Sequence, residues 1–98
     1  MPLFAMIGHD VPDSAARRAA NRDAHVSHVQ VLHDAGRIAL AGPMRDDQDQ
    51  CSIGAVIVFE AASLAEAREI AARDPYVRGG VFEKLVVAPF HQAYPAHP

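Results

Sequence analysis

The chain has a single cysteine, a single lysine and no apolar stretch long enough to cross a bilayer. Each scarcity excludes something. Cys51 has no partner for an intramolecular disulfide, which suits a reducing, cytoplasmic setting. It stands between the polar run 46–50 and strand-like residues, and reads as a strand-edge residue rather than a nucleophile. Lys84 is the only lysine and the arginines are scattered, so no basic stripe is available to follow a nucleic-acid backbone. The glycines form no phosphate-binding pattern, which gives no reason to expect a nucleotide cofactor. Met1-Pro2-Leu3-Phe4 offers no positively charged start and no long apolar core, so no signal peptide is expected. Neither a membrane nor a nucleic acid is an expected partner.

What is present is globular. Half of the 98 residues are apolar, 21% are charged, and the formal net charge is -3. This length fits one domain, 1–98, with residues 91–98 as a loose Pro/His tail. A domain so small has much surface for its volume and gains from association.

Residues 3–8 are apolar apart from Gly8 and read as a first strand. Pro12-Asp13-Ser14 announces a helix, with Asp13 or Ser14 as cap. The helix spans 15–35 and ends at Gly36 in a left-handed turn, with Val26, Val29 and Leu32 as its apolar stripe. Strands follow at 37–44 and 52–59, joined by a polar, acidic loop at 45–50. Ser63-Leu64-Ala65-Glu66 is a capping box that opens a second helix at 64–73. Asp74-Pro75 stops it, Gly79-Gly80 is a turn, and 81–90 is the fourth strand. The order β-α-β-β-α-β predicts an α+β, ferredoxin-like sandwich: an antiparallel sheet with two helices on one face.

Alternation places Leu3, Ala5 and Ile7 on one side of the first strand, and Phe4 and Met6 on the other. In the third strand Ile53, Ala55, Ile57 and Phe59 oppose Val56 and Val58. Both faces are apolar, and two helices cover only one. The expectation is a homodimer closed through the open sheet face, as in a dimeric α/β barrel; an isolated monomer is the alternative.

The polar residue that stands out is His25. With His25 at zero on the first helix, Leu32 lies about 20° to one side, and Val29 about 40° and Arg22 about 60° to the other. An imidazole and a guanidinium therefore share the sheet-facing stripe. Two readings stand: a core histidine satisfied by a carbonyl with Arg22 reaching to solvent, or a site. Asp74 ends the neighbouring helix. It is either a turn residue before proline or the carboxylate that orients His25 and leaves its second nitrogen free for proton transfer. Gly42-Pro43 reads as strand-end punctuation or as the rim of a pocket, and Tyr76 as core or pocket wall. Arg17 and Arg18 read as a solvated helix face in preference to binders of an anionic substrate. His25 and His28 are three apart, but no third ligand completes a metal set; His33 lies off their face and His9 sits near a strand end.

Arg22-Asp23-Ala24-His25, Leu32-His33-Asp34-Ala35-Gly36-Arg37, Ala41-Gly42-Pro43-Met44, Asp74-Pro75-Tyr76 and Pro89-Phe90 together resemble the YCII-related (YciI-like) family across nearly the whole chain. The resemblance implies a ferredoxin-like fold forming dimeric α/β barrels, and a His-Asp active site at His25 and Asp74. One activity type of the family is dehydrochlorination of a chlorinated hydroxyquinol, and the fold is similar to that of muconolactone isomerase. Val26 stands where the family often has leucine, and the loop 45–50 is acidic and lacks glycine.

The expected function is a cofactor-independent enzyme of isomerase or lyase type acting on a small cyclic or aromatic anion. His25 would carry the proton, Asp74 would orient it, and Arg22, Gly42, Pro43 and Tyr76 would hold the ligand. A non-catalytic small-ligand-binding or regulatory dimer is the rival, and a cofactor-independent monooxygenase a third possibility.

Overall fold

A computed structural model describes residues 1–96. Residues 97 and 98, the end of the expected loose tail, lie outside the described residues. The elements run β1 Leu3–Asp10, α1 Ala15–Asp34, β2 Ile38–Arg45, β3 Ser52–Glu60, α2 Leu64–Arg73, α3 Pro75–Arg78 and β4 Phe82–Phe90. The sheet has the order β2-β3-β1-β4, and every neighbouring pair is antiparallel. This is the ferredoxin-like sandwich, with β2 and β4 at the edges.

Register decides which residues meet the helices. Phe4 pairs with Phe59 and Met6 with Ile57. These four join Leu32 of α1 and Ala67, Ile70 and Ala71 of α2 in one buried cluster. Each large apolar side chain so buried contributes roughly 1.5–3 kcal/mol. Ala5, Ile7, Val56 and Val58 face the other way, where β2 adds Leu40 and β4 adds Val86 and Phe90.

Several expectations need correction. β1 runs two residues further, to Asp10, and its pairing with β4 shifts between His9 and Asp10. Asp10 therefore continues the helix-facing series Phe4, Met6, Gly8. The side chain of Ser14 does not cap α1; its hydroxyl donates to Asp10 Oδ2 at 2.5 Å. Asp13 takes the left-handed turn at φ 58° that admits the chain into the helix. α1 stops at Asp34, and Gly36 follows at φ 73° as the expected left-handed residue.

The capping box of α2 forms with a twist. The Glu66 amide donates to Ser63 Oγ at 3.1 Å, but the Glu66 carboxylate accepts from the Ala62 amide at 2.9 Å rather than from Ser63. Its Oε1 also accepts from Arg37 at 2.6 Å, tying α2 to the start of β2. Gly42 and Pro43 lie inside β2, paired with Val56 and Ala55, and not at its end. Proline is tolerated there because an edge strand has one row of amides without sheet partners. No described helix is long and apolar enough to cross a membrane.

The short helix α3 was not expected from the sequence. It is a one-turn device built by Asp74-Pro75: the Asp74 carboxylate accepts from the Tyr76 amide at 2.9 Å, and Pro75 takes the first helical position. Its consequence is that Tyr76 turns inward beneath α1.

Candidate active site

The site begins with α1 leaning away from the β2 edge. A cleft of about 810 Å³ opens between them, with His25, Arg22 and Val29 on the helix side and Ala41, Gly42 and Pro43 on the strand side. Of the expected apolar stripe only Leu32 is fully buried. Val29 is half-buried and Val26 is 44% exposed at the cleft. The polar residues on the helix thus border a cleft, not a sealed core.

His25 Nδ1 lies 2.7 Å from Asp74 Oδ1. A carboxylate in an ion-pairing position only accepts, so Nδ1 donates. The neutral ring then carries its proton on Nδ1 and a lone pair on Nε2. Among the described residues no group hydrogen-bonds Nε2. The imidazole is 16% exposed, while Asp74 is fully buried. Asp74 Oδ1 accepts from the turn amide of Tyr76 and from the ring of His25 together. Its Oδ2 is buried and has no partner among the described residues. Of the groups around this buried carboxylate, His25 is the one titratable side chain bonded to it.

Tyr76 is both core and wall. Its ring stacks on His25 at 3.8 Å with 9° between planes, and it meets the Phe82 ring edge-on at 6.3 Å. Gly8 makes room for Phe82: a Cβ there would stand 2.7 Å from that ring. The imidazole is therefore fixed in position by a hydrogen bond in its plane and a stack on its face.

Arg18 corrects the expectation of a solvated helix face. Its side chain is 14% exposed, and Nε and Nη2 grip the two oxygens of Asp10 at 2.7 and 2.9 Å. Nη2 also donates to the carbonyl of Gly54 at 2.9 Å, and the guanidinium lies over the Tyr76 ring, 5.1 Å from its centroid. Burial would raise the Asp10 carboxyl, but the bonds from Arg18 and Ser14 prevail and hold it below the usual range. The bond from Asp10 in turn raises Arg18. Asp10, Ser14 and Arg18 were missed by sequence reasoning. The signals were there: Asp10 keeps the period of two with Phe4 and Met6, Ser14 and Arg18 are four apart, and Arg18 precedes His25 by seven residues, about 20° from its direction. Arg17 is exposed and donates to the carbonyl of Gly80 at 2.8 Å.

Arg22 lines the cleft with its side chain 68% exposed, 3.7 Å from Asp23. It is a rim cation, not a core residue. Gly42 has open space where a Cβ would be. His33, expected off the face, reaches the outer end of the cleft, exposed and 3.3 Å from Asp34. His28 is half-buried one turn beyond His25; burial lowers its basicity, against the pull of Asp74. His9 is exposed near the end of β1. Among the described residues no three His, Cys, Asp or Glu side chains gather as a metal site. Cys51 is free and exposed in the turn before β3.

Comparison with known proteins adds kinship to geometry. The pattern of the YCII-related domain family matches residues 2–91. Protein YciI of Escherichia coli O6:H1 is 37% identical over 97 residues, covering 94% of this chain and 99% of the relative. An uncharacterized protein of Haemophilus influenzae is 28% identical over 96 residues, 93% of this chain and 98% of the relative. The structure is similar to that of a 5-chloro-2-hydroxyhydroquinone dehydrochlorinase from Burkholderia phenoliruptrix AC1100, in complex with 2,5-dihydroxybenzoquinone. The TM-score is 0.83 at 24% identity, over 97% of this chain and 99% of that one.

Proposed function

This chain belongs to the YCII-related domain family, and from that premise we propose that it is a small enzyme that moves a proton with a His25–Asp74 dyad and needs no bound cofactor. The observation that carries the reading is the 2.7 Å bond from His25 Nδ1 to a buried carboxylate, made at the wall of an open cleft. Asp74 fixes the tautomer, the stack on Tyr76 fixes the plane, and Nε2 is left to take a proton from a substrate carbon or oxygen and return it. Arg22 at the rim supplies positive charge for an anionic substrate, and the open space at Gly42 and Pro43 admits a flat ring beside β2. The reaction class is isomerisation or elimination on a small cyclic or aromatic anion. In elimination, the base takes a proton as the halide leaves with its bonding electrons. The dehydrochlorinase of similar fold names a chlorinated hydroxyquinol as the first substrate to try.

The test is chloride release from 5-chloro-2-hydroxyhydroquinone, followed by proton exchange and lactone isomerisation on related ring anions. Wild type is expected to turn over at least one of these, and His25→Ala to lose about 10²–10⁴-fold of that rate with its fold intact. A His25→Ala protein as active as wild type overturns the dyad. Binding of the ring anion without turnover by wild type would instead mark a non-catalytic ligand-binding module.

The reading also places a second copy on the open sheet face. Leu40, Val86 and Phe90 on that face are 56%, 40% and 43% exposed, and large apolar patches on soluble chains are ordinarily covered. Sedimentation is expected to give twice the chain mass, and Val86→Lys to halve it. With an exposed Cys51, the cytoplasm is the fitting compartment.

A further inference from the structure

The guanidinium of Arg18 and the imidazole of His25 both lie against Tyr76. They leave α1 seven residues apart, about two turns, on nearly the same side. The imidazole stacks on the ring at 3.8 Å and 9°, and the guanidinium lies over the same ring, 5.1 Å from its centroid. A fixed cation therefore stands one aromatic ring away from the dyad. Alone it would oppose any proton arriving on His25. It is not alone, because Asp10 behind it accepts from both Nε and Nη2.

We propose that the Asp10–Arg18 pair is a positioning and charge-balancing element that sets, across Tyr76, how readily His25 takes a proton. The groups around His25 leave this pair a clear part. Asp74 is the anion bonded to the ring. His28 and the exposed Arg22 are its titratable and cationic neighbours on α1, Arg73 acts from α2 on His28, and Arg45 stands across the cleft. Arg22, Arg73 and Arg45 have side chains in solvent, where water and salt screen them. Arg18 is the cation that is shielded from water, and so the one whose neutralisation the imidazole feels most. Asp10 is a working part of the site although it does not line the cleft.

The inference deepens the proton-transfer reading of His25 and rests on it for its catalytic meaning. The experiment reads the imidazole directly, so it succeeds or fails whether or not a substrate turns over. The titration midpoint of His25 is followed by NMR in the full chain, with its signal assigned through His25→Gln. Asp10→Asn leaves Arg18 uncompensated and is expected to lower the midpoint by about 0.5 to 1 pH unit. Arg18→Gln leaves Asp10 as a bare anion and is expected to raise it by about as much. The double variant should return close to wild type. Arg18→Lys, which keeps the charge, should stay within about 0.2 unit of wild type, and compared with Arg18→Gln it decides the matter if Asp10→Asn fails to fold. A role in packing alone moves both single variants in the same direction or neither of them; either outcome overturns the proposal.

Discussion

Among the described residues, two ionic pairs join α1 to the rest of the molecule, and they differ in completeness. At Asp10 both carboxylate oxygens are used: Oδ2 by Ser14 and Arg18 Nε, Oδ1 by Arg18 Nη2. At Asp74 one oxygen takes two donors and the other, equally buried, takes none. The first pair joins a carboxylate to a base that never gives up its proton. The second joins one to an imidazole, a side chain that can hold either one ring proton or two. The complete pair is built to hold; the incomplete one leaves a buried oxygen without a donor. The contrast shows that a buried carboxylate is not in itself a sign of chemistry: what matters is whether its partner can change state.

That contrast is broken most sharply by swapping what each pair is asked to do. His25→Ala is expected to cost about 10²–10⁴ in turnover and to lower the denaturant midpoint as well, because it leaves the buried Asp74 carboxylate without its imidazole partner. Arg18→Met should act chiefly on stability, costing roughly 3 kcal/mol by stranding the buried Asp10 charge, measured by urea unfolding. Gly8→Ala tests the plank between them: its methyl would stand 2.7 Å from the Phe82 ring that supports Tyr76. It should cost about 1–3 kcal/mol and loosen both pairs at once. Ser14→Ala removes one donor from Asp10 and should cost about 1 kcal/mol.

Acid distinguishes the pairs in the same spirit. The Asp10 carboxyl is held below its ordinary value in the folded chain, so its stabilising part is complete above the unfolded value near 4. It is lost as pH falls through the lower folded value. Asp10→Asn should flatten the acid limb of the stability profile, read as urea midpoints from neutral pH downward. A limb of unchanged slope would show that the Asp10–Arg18 pair does not hold the fold together.

Most of the framework was legible in the order of residues. The β-branched run at 52–59, the Ser63 cap and Gly36 each act over a few neighbours, so local rules suffice for them. His25 and Asp74 were legible as candidates for a different reason: each departs from what its local position asks for, an imidazole on an apolar stripe and a carboxylate at a helix stop. The helix α3 was hidden because a stop signal and a restart signal are the same two residues, Asp74 and Pro75. Arg18 was hidden because an arginine near a helix start is ordinary until a strand end brings Asp10 to it.

The sequence by itself determined the elements, the ferredoxin-like order and the presence of a histidine where a core would place leucine, because periodicity and capping are properties of short segments. Only the tertiary structure decided that Asp74 reaches His25 with one oxygen and leaves the other empty, that Tyr76 meets both the imidazole and the guanidinium, and that α1 stands off from β2 to open a cleft. Those are distances between segments far apart in the chain, set by the register of β1 on β3 and by a bulge at Asp10, and no local pattern encodes them.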